Sequence, residues 1–189
     1  MFEISSKFSM LCLNALGIST LMLGGFLPAF LLSQPATALH NRQIAFDSSP
    51  RLIRTAVATY PGIGALAQYQ FTIAVPESAG KPLQAVTITQ QENLEQIRFD
   101  LSRSKAFAGE RFAGGSAVSL ASVGGSDSSQ ANEVTIVFDS PVQPGSSVTV
   151  ALRGKRPTWG GIYLFGVTAF PVGENSVGSY LGSGRMAFP

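Results

Sequence analysis

The sequence predicts an all-β sandwich of one domain, preceded by an apolar N-terminal segment. Helical periodicity is almost absent after residue 38. Segments in which apolar and polar residues alternate recur about every ten to fifteen residues, with turn-forming residues between them. The longest apolar run of this region, residues 160–171, opens with two glycines and closes with a proline. These patterns favour two packed antiparallel sheets, and we expect an immunoglobulin-like arrangement with Greek-key connections.

Residues 160–171 give the strongest prediction of a β-strand in the sequence. Their alternate positions give two sets of side chains, and both sets are mostly apolar. Such a composition is typical of a strand inside a sheet that is covered on both sides. Gly166 in its interior predicts a bulge or a close approach of backbone.

Residues 1–38 resemble a signal peptide that would form a hydrophobic helix. An apolar region runs from Phe8 to Leu32, and Ala36 and Ala38 supply the two small residues of a cleavage site. Cleavage after Ala38 would leave residues 39–189 as the sandwich domain, without the single cysteine, Cys12. The alternative is an uncleaved membrane anchor, since the apolar region is nearly long enough to span a bilayer.

The alternating segments predict the strands in chain order. Those strands are expected at 44–46, 51–60, 68–75, 83–90, 97–101, 117–123, 133–139, 148–152, 160–171 and, as a short edge strand, 185–188. Within 68–75, Tyr69, Phe71, Ile73 and Val75 are expected to face the core. Gln70 and Thr72 are expected to face outward. Residues 102–115 lack alternation and are expected to be irregular.

Composition excludes several classes of function. The formal net charge is +2 and only 13% of residues are charged, which favours neither nucleic acid nor a polybasic membrane patch. One histidine, and no cysteine after residue 38, make a Ser-His-Asp or Cys-His site improbable. The acidic residues lie mostly at predicted turns or outer strand positions, which does not favour a paired-carboxylate hydrolase. The sequence therefore predicts no enzyme and no cofactor.

Several stretches carry a family resemblance. They are Ser49 to Leu52, Gln68 to Thr72, Val75 to Leu83, Ile97 to Leu101, Ala106 to Gly109, Phe138 to Gly145 and Gly160 to Glu174. Together they resemble a cyanobacterial exported family that is known only as a domain of unknown function (family number 2808). The resemblance implies a signal peptide and a periplasmic or extracellular setting. It implies no activity, cofactor or catalytic residue.

The best candidate binding site precedes the long apolar run. Arg153, Lys155 and Arg156 are followed closely by Trp159. Cations beside an aromatic ring suit anionic polysaccharide or lipid headgroups, with the indole stacking on a sugar face. The alternative is a solvated turn whose tryptophan covers the end of the sandwich.

Two metal sites are weaker alternatives. Cleavage after Ala38 would place a free amine on Leu39 beside the imidazole of His40, a donor set that suits Cu(II). Asp127, Asn132 and Glu133 offer oxygens for Ca²⁺, although their spacing is not that of an EF-hand loop.

The predicted function is an exported, non-catalytic binding or structural module of the cell envelope or exterior. Its expected partner is an envelope protein or an anionic polysaccharide, with no nucleic acid, and with membrane contact only through an uncleaved signal segment. The alternative is a periplasmic domain that handles copper or calcium.

Overall fold

The computed structural model describes residues 43–60, 65–124 and 132–189, and within them the chain forms two antiparallel five-stranded sheets. The strands are β1 (Arg51–Thr59), β2 (Leu66–Ala74), β3 (Leu83–Gln90), β4 (Phe99–Ala108), β5 (Ala117–Val118), β6 (Leu120–Gly124), β7 (Glu133–Val142), β8 (Ser147–Lys155), β9 (Gly161–Pro171) and β10 (Ser179–Phe188). The first sheet has the order β1-β2-β8-β4-β5, and the second has the order β10-β9-β3-β7-β6. The predicted all-β sandwich is confirmed.

The two sheets pack through one shared core. From the first sheet, Tyr69 and Phe71 on β2 point inward, and both are fully buried. Their ring centroids lie 5.9 and 5.7 Å from that of Phe165 on β9 of the second sheet. Burying each such large side chain contributes roughly 1.5–3 kcal/mol. The predicted inner face of β2 is therefore correct.

Strand β9 departs from the prediction that both of its faces are covered. Its inner residues, among them Tyr163 and Phe165, are buried as expected. On the other face, however, Ile162 and Leu164 are 46% and 36% exposed. Gly166 lies under the ring of Tyr180, whose Cε2 would be 3.2 Å from an added Cβ. The close approach at this glycine is made mainly by a side chain, and not by backbone as expected.

The prediction of an irregular segment at 102–115 is wrong for its first half. Strand β4 continues to Ala108, with a register shift between Asp100 and Lys105 where it pairs with β8. This irregularity breaks the alternation of apolar residues, which is why the sequence pattern did not indicate a strand. Residues 109–116 do form a loop.

The ends of the described region also differ from the expected strands. Ile44 makes only an isolated parallel bridge to Ser176, so residues 44–46 form no strand. Residues 117–123 divide into β5 in the first sheet and β6 in the second. At the C-terminal end, the expected short edge strand is the ten-residue β10.

The outward side of β2 is covered although it was expected to face solvent. Gln70 is 8% exposed and Thr72 is fully buried. Thr72 Oγ1 donates to the Glu110 carbonyl at 3.4 Å, because the loop after β4 folds over this part of the first sheet. That loop turns part of an otherwise flat sheet face into a pocket.

Candidate functional site

The structure separates the four clustered residues Arg153, Lys155, Arg156 and Trp159. Strand β8 continues to Lys155, so Arg153 and Lys155 belong to a strand and not to a turn. The Arg156 guanidinium donates a hydrogen bond to the Pro189 carbonyl at the end of the chain. Trp159 lies in the following loop with 64% of its surface exposed, so it does not cover the end of the sandwich.

The loop that holds Trp159 is fixed by one carboxylate. Glu95 Oε2 accepts hydrogen bonds from the backbone amides of Thr158 at 2.6 Å and Trp159 at 3.2 Å. The Tyr163 hydroxyl donates to the Trp159 carbonyl at 3.0 Å. The exposed indole therefore projects from an ordered loop.

Arg153 and Lys155 lie on the outer face of the first sheet. The next residues inward along β8, Val150 and Leu152, belong to the core, so the alternation of the strand points Arg153 and Lys155 away from it. Arg153 is paired in register with Gln68 on β2 and with Asp100 on β4. Side chains of paired residues in an antiparallel sheet project to the same side.

The same face carries further cations from other strands. Arg54 on β1 pairs with Thr72, and Lys105 on β4 pairs with Ala151, which itself pairs with Gln70. The basic face is defined here as the outward residues Arg54, Gln68, Gln70, Lys105, Arg153 and Lys155. Among the residues that the structure describes, none of its four cations forms an ion pair.

Arg153 is the cation at the centre of the basic face. Its Cζ lies 6.0 Å from the centroid of the Tyr60 ring, at the outer limit of a cation–π contact. Its Nε is buried and has no hydrogen-bond partner. Neighbouring Asp100 forms an ion pair with Arg103, whose Nε is 3.3 Å from Asp100 Oδ2. Arg153 therefore keeps donor capacity that the protein does not use.

Arg54 and Lys105 were not among the sequence candidates. Arg54 lies about one hundred residues before Arg153, and Lys105 lies about fifty residues before it. Only the strand register places them on one face, and register is not visible in one sequence. The usable signal was the alternation in 51–60, which places Arg54 opposite to the inward Thr55 and Val57.

Two carboxylates line one pocket elsewhere. Glu92 and Glu95 border a cavity of about 290 Å³ at the corner between β3 and β4. The Glu95 carboxylate accepts hydrogen bonds from two backbone amides of the loop that holds Trp159, so it stabilises that loop.

The metal hypotheses concern residues that are mostly outside the described ranges. Leu39, His40 and Asp127 all lie outside the described residues. Of the other calcium candidates, Asn132 Nδ2 donates to the Gln90 carbonyl at 3.2 Å, and Glu133 Oε2 accepts from Thr89 at 3.4 Å. Within 43–60, 65–124 and 132–189, no three His, Cys, Asp or Glu side chains are grouped to hold a metal ion. The same ranges contain no helix with the length and apolar character needed to cross a membrane.

The comparison with protein families gives one match. Residues 43–188 match the family described as protein of unknown function (DUF2808). The chain belongs to this family. Among curated proteins, none matches the chain.

Some solved structures are similar to the chain at low identity and low TM-score. A collagen-binding domain from a Staphylococcus aureus adhesin is 10% identical, with a TM-score of 0.39 over 70% of this chain and 95% of that domain. Collagen adhesin (CNA) from S. aureus is 8% identical, with a TM-score of 0.42 over 70% of this chain and 47% of that one. The C-terminal domain of the Streptococcus pyogenes antigen I/II-family protein AspA is 13% identical, with a TM-score of 0.37 over 67% and 45%. The chain thus spans less than half of the last two proteins. Likeness at this level carries nothing about a ligand.

Proposed function

We propose that this member of the DUF2808 family is a non-catalytic binding module that holds an anionic polysaccharide on the basic face. The observation that carries the proposal is the register of the first sheet, which gathers four cations from three strands on one outward surface. Its two glutamines, Gln68 and Gln70, supply amides that suit sugar hydroxyls.

The spacing of the cations favours a polymer over a small ion. Successive outward residues of one strand are about 7 Å apart, and neighbouring strands are about 4.8 Å apart. On β2, the partner of Arg54 is Thr72 and the partner of Lys155 is Leu66. These two partners are three outward positions apart, so the face extends over roughly 20 Å along the strands. Isolated charges at such intervals fit a chain that repeats its own charges.

The opposite outer face has a different chemistry. On the second sheet, the residues that face outward include Thr87 and Thr135, whose hydroxyls are hydrogen-bonded to each other at 2.8 Å, and the exposed Ile162 and Leu164. Among the described strands, only those of the first sheet carry outward cations on several strands of one sheet. The contrast between the two faces supports the choice of the basic face.

The four candidates of the sequence have different uses in this proposal. Arg153 and Lys155 contact the polymer directly. Trp159, in the loop after β8, offers its exposed indole to a sugar ring. Arg156 contributes less to binding, because its guanidinium already holds the C-terminal carbonyl.

A binding measurement tests the basic face. The protein is expressed from its full-length sequence and purified in the form that cells accumulate, and its affinity for polygalacturonate is measured calorimetrically. The double variant Arg153→Gln/Lys155→Gln is expected to bind about tenfold more weakly, since each exposed charge contributes up to about 1 kcal/mol. The loss should shrink as salt is added.

A matched control removes the same charge elsewhere. Arg185→Gln/Lys81→Gln changes two exposed cations, with Arg185 on the second sheet and Lys81 in a loop, and should retain the affinity. Equal loss in both double variants would mean that only net charge matters. No binding of polygalacturonate, or of other acidic glycans in an array, would overturn the proposal.

We further propose an extracytoplasmic setting in the periplasm or exterior and an immunoglobulin-like topology. The signal-like segment 1–38 supports the first. The second is supported by the repeated crossing of the chain between the two sheets, after β2, β3, β5, β7 and β8. The copper hypothesis at Leu39 and His40 and the calcium hypothesis at Asp127, Asn132 and Glu133 stay predictions.

A further inference from the structure

A pocket opens at one end of the basic face, where the loop after β4 rises over the outer side of β1 and β2. Its volume is about 710 Å³. The residues that line it are Ile53, Arg54, Gln70, Glu110, Arg111 and Phe112. Three of them offer nitrogen donors, and two of them are apolar.

The loop that forms the pocket wall is fastened to the sheet. Thr149 Oγ1 donates to the Gly109 carbonyl at 2.9 Å, and the Gly109 amide donates to the Ser147 carbonyl at 2.8 Å. The Phe112 ring packs edge-on against Phe107 with centroids 4.8 Å apart. These contacts fix the Phe112 side of the pocket before any ligand arrives, which lowers the ordering cost of binding.

Gln70 is the feature that indicates a ligand. The residue is only 8% exposed, and its amide forms no hydrogen bond with a described residue. The amide is also not among the fully buried side-chain atoms that lack a partner, so it is open to the pocket. Because Gln70 lines the pocket, a ligand there would satisfy its amide.

The two arginines indicate the charge of that ligand. Arg54 and Arg111 border the pocket from β1 and from the loop, and neither forms an ion pair with a described residue. Guanidinium groups bind carboxylates through paired, charge-assisted hydrogen bonds. The pocket also contains Glu110, which opposes an anion, so the lining has two cations against one carboxylate.

We propose that this pocket binds one uronic acid unit of an acidic polysaccharide, a specific subsite that rests on the function proposed above. Arg54 and Arg111 hold the carboxylate of the sugar. The Gln70 amide donates to one ring hydroxyl and accepts from another, and Phe112 packs against the C–H face of the ring. An acidic peptide is the alternative occupant, and the titrations below distinguish it from the sugar.

Titration of single variants with polygalacturonate tests the subsite. Arg54→Gln and Arg111→Gln are each expected to weaken binding about tenfold, because each removes a charge-assisted hydrogen bond. Gln70→Leu should weaken binding with little loss of packing. Glu110→Gln should strengthen binding, since it removes the one opposing charge. Arg185→Gln on the other sheet is the matched control and should bind like the wild type.

The outcomes separate this inference from the broader proposal. Arg111 is the one guanidinium of the pocket that lies outside the basic face. If Arg153→Gln/Lys155→Gln weakens binding while Arg111→Gln does not, the basic face is retained and the subsite is overturned. If the wild type binds no acidic polysaccharide, both fail. Weaker binding of polygalacturonate by Glu110→Gln would overturn the placement of the sugar carboxylate in this pocket, because removing a like charge beside an anion should not weaken its binding. If the subsite variants alter binding of polyglutamate but the carboxyl-reduced form of polygalacturonate binds as well as the acidic form, the uronic acid assignment is wrong.

Discussion

At the scale of single residues, two buried tyrosines make stability depend on alkaline pH. Tyr69 is fully buried and Tyr163 is 1% exposed, and their hydroxyls donate to the carbonyls of Lys155 and Trp159. Burial raises the pKa of both hydroxyls above the ordinary value of about 10, and the nearby Glu95 carboxylate raises both pKa values further. The folded state therefore holds these protons more tightly than the unfolded state does.

The sign of the pH effect follows from that difference. Below about pH 10 both tyrosines are protonated whether the chain is folded or not, so their contribution to stability is complete. Above about pH 10 the unfolded state ionises first, so the free energy of unfolding should fall by up to about 1.4 kcal/mol per pH unit for each tyrosine until the folded-state hydroxyl also ionises. Urea unfolding at several alkaline pH values measures this slope.

The Tyr69→Phe variant isolates one of the two groups. At neutral pH it should cost about 1 kcal/mol, because the hydrogen bond to the Lys155 carbonyl is lost. With rising pH its stability should fall less steeply than that of the wild type, so the two curves approach and cross. Parallel curves would show that Tyr69 does not cause the alkaline loss.

Individual site residues were predictable only where the pattern is local. Arg153 and Lys155 stand two positions apart on one strand, and this spacing alone puts them on one face. Arg54 and Arg111 lie far from them in sequence, and a shared surface arises only through sheet register and the fold of the loop after β4. The burial of Gln70 was hidden for the same reason, since its position on the strand suggested a solvent-facing residue.

At the scale of strands, the alternation of apolar and polar residues correctly predicted which side chains face the core. It did not predict whether the other face of a strand is covered by another part of the protein. The inner residues of β2 and β9 are those expected, whereas the outer Ile162 and Leu164 of β9 remain exposed. Apolar residues on both sides of a strand do not reveal whether another layer exists to cover the second side. Strand β4 was partly missed because its register shift interrupts the alternation that defines a strand in sequence.

One glycine lets the edges of the two sheets approach. Gly184 on β10 faces Thr55 on β1, and a Cβ at Gly184 would lie 2.1 Å from Thr55 Cγ2. The Thr55 hydroxyl also donates to the Arg185 carbonyl at 3.3 Å across the same gap. Gly184→Ala should therefore lower the free energy of unfolding by about 1–3 kcal/mol, as for other overpacked sites. Thermal or urea unfolding measures the change.

A compensating variant shows whether that contact is the cause. Thr55→Ser deletes Cγ2 and keeps the hydroxyl, so the Thr55→Ser/Gly184→Ala pair should recover most of the lost stability. Gly124→Ala is the matched control, because nothing lies within 4 Å of its added Cβ. If the double variant is no more stable than Gly184→Ala alone, the loss comes from the backbone of β10 and not from Thr55.

At the scale of the whole molecule, the sandwich was predictable because each strand repeats the same inward pattern, but its surface was not. Charged residues on different strands become one surface only when strand order is known. The order β1-β2-β8-β4-β5 brings together strands from both halves of the chain. The basic face is therefore a property of topology, and the sequence cluster at 153–159 showed only one part of it.

Export of the chain is the remaining prediction at this scale. Signal peptidase accepts only small side chains at the two positions that Ala36 and Ala38 would occupy, so cleavage should leave Leu39 as the first residue.

Mass spectrometry of the protein, expressed from its full-length sequence in an exporting bacterial host, should find an N-terminal peptide that begins at Leu39. Ala38→Phe should block cleavage and keep the protein with the membrane fraction. Thr37→Val, at the tolerant position between the two alanines, should be processed like the wild type. Recovery of wild-type protein in the membrane fraction with residues 1–38 intact would mean that this segment is retained as an anchor.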